Sequence, residues 1–464
     1  MSSAAPIYVR PLRRRSIAGP LVLIILGLLF LAKNLGAPIS LFAFFARWWP
    51  LLLVLAGAIR LFEYYQAQRT NTAVPRIGGG AVFLMVLLVV LGLGASGIYR
   101  SREHINWGEV REEVQMDPDF MRMFGSDHTF EEQVEQEFAP GSQLKVVCER
   151  GSITVNAWDE NKIKVLARKN IFASNDQEAQ RRHGQTKPQI SVTGGVVMVN
   201  ANTQGAGDVG VRTDLEIFVP RQAAVDLASR RGDIMVSNRA GEVKISMHRG
   251  DVRTEDIEGN VFVTVERSNL HAARVKGDIT VSGRANDVVL VDVTGAATFN
   301  SDIFGELKLS KIGKGVRFNS SRTELELAKL DGDLDMDSGD LRITEAQGLR
   351  LNTRSKDINL TSMSGDVKVD TDNGDISLAS AQAQPLGNVV LSNRHGEIRL
   401  ELPSNAGFEF QGSTRHGEVS SEFGEITVNT SDKNSNRATG KVGRGGAKIQ
   451  VSTDSGDISI RKVG

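Results

Sequence analysis

Cysteine is nearly missing. The 464 residues contain one, Cys148, which excludes an intramolecular disulfide framework and any multi-cysteine zinc site. Aromatic rings are scarce where a sugar-cleaving enzyme would need them: all 4 Tyr precede residue 100, and of the 4 Trp only Trp107 and Trp158 lie beyond it. A β-helical polysaccharide lyase or hydrolase works with paired carboxylates in a cleft and usually with aromatic platforms, and no carboxylate pair stands out here. Net charge is also missing. The 55 Lys and Arg balance 55 Asp and Glu, against the basic excess of a nucleic-acid binder. No Walker A, GxSxG, HExxH or CxxC pattern occurs in the chain. These absences point to a protein that is not an enzyme, takes no small-molecule cofactor and binds no nucleic acid.

The zero balance conceals a division. Residues 1–100 carry ten Lys/Arg against a single acid, Glu63, and are +9, while the other 364 residues are −9. Three apolar runs, 17–32, 50–62 and 78–98, occupy the basic part, so residues 1–15 read as a basic N-terminus and 16–100 as a transmembrane region. The third run has 21 residues without a charge, a full crossing; the first spans only about 24 Å as a helix. The first two runs either cross fully or form a short hairpin. Arg13, Arg14 and Arg15 precede the first run, and Trp48, Trp49, Tyr64 and Tyr65 bracket the second as an interfacial belt. The arginine bias places the N-terminus in the cytoplasm and, after three crossings, the rest of the chain outside a multi-pass inner (cytoplasmic) membrane region.

Residues 101–136 form an acidic juxtamembrane connector, a solvated and partly helical stalk that would hold the C-terminal domain off an anionic lipid surface. From 137 to 464 the pattern has period two. Leu144, Val146 and Cys148 alternate with Lys145, Val147 and Glu149, which puts Cys148 on an apolar face as a packed small hydrophobe. The segment 173–189 is polar and reads as a loop with a helical turn. After Ser229 a unit of nine residues recurs: Gly232-Asp233-Ile234-Met235-Val236, then Gly241, Gly250-Asp251, Gly259, Ser268, Gly277-Asp278, Asn286 and Gly295 in one register. Later copies begin at Gly365-Asp366, Gly374-Asp375, Gly396-Glu397 and Gly456-Asp457. A short period repeated over so long a stretch means stacked units. Ile234 and Val236 face one side of a strand, and glycine supplies the positive φ of a sharp corner. The expected fold is therefore an all-β repeat domain, a β-solenoid of nine-residue units, preceded by an α-helical transmembrane region. Two units per coil, with two facing sheets, is one arrangement; a three-sided coil is the other.

The repeat invites a calcium nonapeptide reading, but each unit has one Gly with its Asp directly adjacent, and the clustered glycines that aim carbonyls at an ion are missing. Arg394-His395-Gly396-Glu397 and Arg415-His416-Gly417-Glu418 repeat one tetrapeptide, which shared repeat ancestry explains. Arg231-Gly232-Asp233 and Arg249-Gly250-Asp251 spell an integrin tripeptide whose Gly-Asp belongs to the repeat. These residues are assigned to turns, not to a metal, cofactor or catalytic site.

Two resemblances add to this reading. Leu31-Ala32-Lys33-Asn34-Leu35-Gly36 and Trp48-Trp49-Pro50-Leu51-Leu52-Leu53 resemble the LiaI/LiaF-type transmembrane region of bacterial envelope-stress proteins. Phe138-Ala139-Pro140-Gly141, Gly151-Ser152-Ile153-Thr154-Val155-Asn156-Ala157-Trp158-Asp159 and the Gly-Asp-Ile units are similar to the bacterial adhesin-like β-repeat family, also called toastrack domains. The resemblance implies a non-enzymatic envelope protein whose partners are the lipid bilayer and another envelope protein or a cell-wall component. Envelope-stress sensing or scaffolding is the first expectation, surface adhesion the second, and polysaccharide degradation the third.

Overall fold

The computed structural model describes residues 125–206, 210–380, 386–431 and 435–463, with the single positions Pro50, Val54 and Val89. The remainder of the three expected membrane segments, and with it Arg13, Arg14, Arg15, Trp48, Trp49, Tyr64 and Tyr65, lies outside the described residues. Among the described residues no helix is long and apolar enough to cross a membrane. Two compact units are present. One takes in what is described of Met1–His128, Asn170–Arg182 and Ala206–Val211; the other comprises Thr129–Lys169, His183–Gly205 and Arg212–Gly464.

Helix α1 (Asp176–Gln185), which belongs to the first unit as far as Arg182, starts where Asn175 Oδ1 accepts the Glu178 N–H at 2.8 Å, an N-cap. Arg182 donates to the Glu178 carboxylate at 2.6 Å and to the Phe172 carbonyl at 2.9 Å. The polar stretch expected as a loop thus holds a ten-residue helix, because a cap and an i,i+4 ion pair support a sequence with almost no apolar face. Within the segment assigned to the acidic connector, Ser126–Glu137 is a twelve-residue strand.

The second unit is a β-solenoid, as the repeat predicts, and its register settles the coil. Val225, Val243, Val261, Ile279 and Ala297 pair in parallel, one above another, at intervals of 18 residues. Ile153, Ile234, Val252, Leu270 and Val288 form a second parallel ladder. One coil is therefore two nine-residue units, and odd and even units build opposite walls. Long strands such as Val243–Ile257 bend through a corner from one wall to the other. The interior takes every second side chain from both walls: Val243, Ile245, Val252 and Ile257 in one coil, Val261, Val263, Leu270 and Val275 in the next, all at most 2% exposed. Each buried aliphatic chain contributes about 1.5–3 kcal/mol, but only when its neighbours above and below are present.

One coil runs backwards. The strand Val316–Asn319 turns at Ser320, and Thr323–Met336 returns antiparallel to it, with Val316 opposite Leu327. The same strand lies antiparallel to Leu307–Ile312 on the other wall and then turns again into Asp340–Thr344. Two reversals restore the direction, and parallel pairing resumes at Asp340 opposite Asp357. At both ends of the stack the chain is interleaved. Ile153 lies between Leu215 and Ile234, and Ile458 lies between Ile398 and Val419. Antiparallel strands, Gln189–Thr193 at one end and Ile426–Ser431 at the other, cover the first wall.

Two fully buried cations among the described residues were not anticipated from sequence. Arg239 is 0% exposed and donates to the carbonyls of Val219, Pro220 and Ala223 at 3.0, 2.8 and 2.7 Å, closing an early corner. Burial pushes its guanidinium down to about 10, so it stays charged at neutral pH. Lys169, also fully buried, pairs with Glu132 at 3.0 Å, and His183 stacks on Phe130 with its Nε2 3.4 Å from the same carboxylate. Burial lowers the basicity of both Lys169 and His183.

The corners set a demanding steric condition. A Cβ on Gly250, whose φ is +139°, would stand 2.0 Å from the Gly232 carbonyl oxygen of the adjacent coil, whereas one on Gly424 meets nothing within 4 Å. Gly250→Ala is expected to destabilise the protein by about 2 kcal/mol or more, against a change within about 0.5 kcal/mol for Gly424→Ala. Denaturant titration of the two variants is the measurement; equal effects would remove the steric account.

Candidate functional site

The Gly-Asp units meet at two corner columns. On the first, Gly151, Gly232 and Gly250 stack, and farther along Gly374, Gly396, Gly456 and Gly417 stack; a Cβ on any upper member would meet the carbonyl oxygen below at 2.0–2.3 Å. On the second, Gly241, Gly259, Gly277 and Gly295 repeat the approach at 2.3–2.5 Å. Gly365 belongs to the second corner but has room, its nearest neighbour being the Gln347 side chain at 3.5 Å. Positive φ is needed at only part of this set. Gly232, Gly250, Gly365, Gly374, Gly396 and Gly456 have it, but Gly241 and Gly277 do not. At those two the requirement is the close passage of backbone over backbone. The positive φ that turns the chain out of the second wall falls instead on Asn238, Asp256, Arg274, Asp292 and Lys311, one per coil.

The aspartates beside the glycines have a specific task. Asp233 Oδ1 accepts the Asp251 N–H at 3.0 Å, Asp375 Oδ1 accepts that of Glu397 at 2.8 Å, and Asp457 Oδ1 that of Glu418 at 2.8 Å. On the second column Asp278 takes the Ala296 N–H at 2.9 Å and Asp366 that of Asn388 at 2.7 Å. Asp251 accepts the Asn269 side-chain amide at 2.9 Å, and Asn260 and Asn269 stand in for Asp, serving Asp278 and Asp287. Apart from Asp251, these corner side chains therefore each satisfy a backbone donor of a neighbouring coil that the turn leaves outside the ladder. Where Arg231-Gly232-Asp233 occurs, the carboxylate that would meet a partner is already engaged in this way.

The other sequence candidates are equally absorbed. Cys148 is 1% exposed, its Sγ 3.4 Å from the Thr213 carbonyl oxygen, and burial pushes the thiol up to about 12. His395 and His416 are exposed at one corner, with Nδ1 3.4 Å from the Asp372 carbonyl oxygen and 3.3 Å from that of Asp454. Their neighbours Arg394 and Arg415 pair with the same two aspartates at 3.5 and 3.6 Å, a charge ladder that Arg-His-Gly-Glu encodes twice. A groove of about 230 Å³ runs along Asp340, Asp357, Asp375 and Glu397, with Arg342 and Arg399 beside it. Its Asp357 and Asp375 cap backbone donors, and Arg399 holds Glu397 at 3.1 Å. Among the described residues no group of three or more His, Cys, Asp or Glu is disposed to hold a metal ion.

Ladders of this kind define a β-solenoid repeat protein whose polar corners serve the fold. Residues 142–461 match the family described as Toastrack DUF4097, and the chain belongs to that family. Residues 18–104 match the LiaF transmembrane domain, which makes this a membrane-anchored envelope protein associated with the lipid bilayer. No curated protein matches the chain. Among solved structures, it is similar to a "putative cell adhesion protein" from Clostridium sporogenes at 10% identity and a TM-score of 0.19, covering 72% of this chain and 100% of that one. A "putative adhesin" from Bacteroides fragilis gives 10% identity and a TM-score of 0.18, with 72% of this chain and 97% of that one covered.

Asp375→Ala removes the acceptor of the Glu397 N–H and is expected to cost about 1 kcal/mol, whereas Asp375→Asn keeps an oxygen there and stays near the parent. Chemical denaturation of both variants distinguishes a structural cap from a charge requirement. Acid sensitivity arises from a related pair. Ser321 holds the Asp302 carboxyl below the usual range, and the Asp340 and Gly339 N–H groups do the same for Asp337. Because these folded-state values lie below the unfolded ones, the stabilisation is present above the ordinary aspartate range and is lost as pH falls through the depressed values. The thermal midpoint is expected to drop as pH falls below about 4, and less steeply in Asp337→Asn.

Proposed function

We propose that this protein is a multi-pass component of the cytoplasmic membrane that presents its solenoid outside the cell membrane and binds another envelope protein or a cell-wall component, in envelope-stress sensing or scaffolding. The observation that carries the reading is the commitment of the corner carboxylates to backbone donors, which leaves the broad outer walls as the surface available for recognition. A rigid wall held by a membrane region suits a binding role and needs no catalytic group. Met235 and Phe262, 39% and 38% exposed, are among the large apolar side chains on the outer walls of the first coils.

A photo-crosslinking residue placed at Phe262 or Met235 in intact cells is expected to capture a membrane protein or cell-wall fragment. Adducts confined to molecules supplied from outside the cell would replace sensing by adhesion. Topology is read separately: with Cys148→Ala removing the buried thiol, the exposed position Asn352→Cys should react with an impermeant maleimide in spheroplasts. Labelling that begins only after lysis would place the solenoid in the cytoplasm.

A further inference from the structure

The reversed coil removes part of one wall. In ordinary coils a segment crosses the first corner from wall to wall, and its backbone pairs with the crossing below, as Phe304 N–H does with Ala285 O at 3.0 Å and Gly305 N–H with Asn286 O at 3.1 Å. Val316–Asn319 does not cross there; it folds back through a tight turn in which Ser320 N–H bonds Thr323 O at 3.0 Å. Thr323–Met336 arrives at the same corner on the other wall and also folds back, with Asp337 N–H on Asp340 O at 3.0 Å. The next segment to cross is at Lys356, whose N–H bonds Asn373 O at 3.1 Å. Between Gly305 and Lys356 the corner is thus open over the levels of both hairpins.

A cavity of about 670 Å³ fills this opening, bounded by Asp302–Gly305 on one side, Thr353–Lys356 on the other, and the two hairpin turns between them. Its floor is formed by the half-buried Ile303 and by Phe318 and Met336, which are 3% and 6% exposed. The rim is polar and cationic. Lys356 is 8% exposed, and its ammonium gives one proton to the Asp337 carbonyl and has no other hydrogen-bond partner among the described residues. Arg322 and Arg354 are exposed and make no ion pair within 4 Å among the described residues, although Arg322 lies close enough to help Ser321 hold the Asp302 carboxyl below its usual range. The two acids of the lining are occupied: Asp302 accepts the Ser321 N–H and hydroxyl at 2.9 and 2.8 Å, and Asp337 accepts the Gly339 and Asp340 N–H groups, both at 2.7 Å. Phe304 stands at the lip with 70% of its surface exposed, an unusual position for a phenyl ring in this fold.

We infer that this window is a binding site for an anionic sugar residue, whose carboxylate or phosphate is held by Arg322, Arg354 and Lys356 while Phe304 covers one face of the ring. Planar guanidinium groups hold such anions in bidentate fashion, and a cavity of this size with an apolar floor and a polar rim takes a ligand of one or two rings. The hydroxyls of Ser338 and Ser355 lie on the same rim and supply ring-hydroxyl partners. The site depends on the missing corner and is independent of which partner the outer walls engage.

Calorimetric titration of the full chain in detergent micelles, with glucuronate, glucose 6-phosphate, glucose and inorganic phosphate as separate ligands, is the test. At least one of the two sugar anions is expected to bind saturably and glucose not at all. The double variant Arg322→Gln, Arg354→Gln should weaken that binding at least about ten-fold with an unchanged thermal midpoint, both side chains being exposed. Phe304→Ala should weaken the sugar anion several-fold and leave phosphate alone. Absence of saturable binding by either sugar anion, or binding undiminished in the double variant, overturns the site. Phosphate bound as tightly as the sugar anions overturns the sugar assignment.

Discussion

Backbone passing over backbone at the corners is the constraint on which everything else rests. Coils can stack at strand spacing only if each turn lets the carbonyl of the coil below approach the α-carbon above, at Gly232, Gly250, Gly396 and Gly456 to distances no side chain tolerates. Once that approach is secured, the parallel ladders form on both walls, the alternate aliphatic side chains close the interior, and the corner N–H groups need an acceptor. The adjacent aspartate provides it. A single dipeptide, Gly-Asp, thus solves two problems one residue apart, and its repetition needs no ligand to explain it.

Regular stacking also decides where function can reside. In coils that repeat at 18 residues, corner groups such as Asp233, Asn260, Asn269 and Asp278 each serve a backbone donor 18 residues on and are absorbed into a ladder. Departures from the repeat are therefore the informative places. The backward coil Thr323–Met336 is the largest of them, because an antiparallel strand continues a wall but omits a corner. A wall with a missing corner leaves a cavity floored by Ile303, Phe318 and Met336 beside the exposed Arg322 and Arg354.

The interleaved ends reflect the open edges of any solenoid. An exposed terminal ladder offers unpaired backbone groups, and natural sheets cover such edges. Here the strands around Ile153 and Ile458 are clamped between two neighbours each, and short antiparallel strands lie over the first wall at both ends. The clamped coils make long-range contacts in a fold whose other contacts are mostly between adjacent coils, so the ends couple distant parts of the chain.

The nine-residue period, the alternation of Ile, Val and Leu, the buried Cys148 and the structural standing of the Gly-Asp units were legible in the amino-acid order, because strand alternation and corner glycine are local requirements. The division into a basic, apolar part at +9 and a remainder at −9 was equally legible, since charge and hydropathy are read directly. Pairing was not. Two walls rather than three, the split of one glycine set into positive-φ and close-approach positions, and the aspartate acceptors all depend on what lies 18 residues away. Nor does the segment Thr323–Met336 differ in alternation from a forward strand, since reversing direction leaves the inward residues Leu325, Leu327, Leu330 and Leu334 inward. Period two is blind to polarity, so only the tertiary structure decided the backward coil, the open corner and the burial of Arg239, whose partners are carbonyls with no sequence signature.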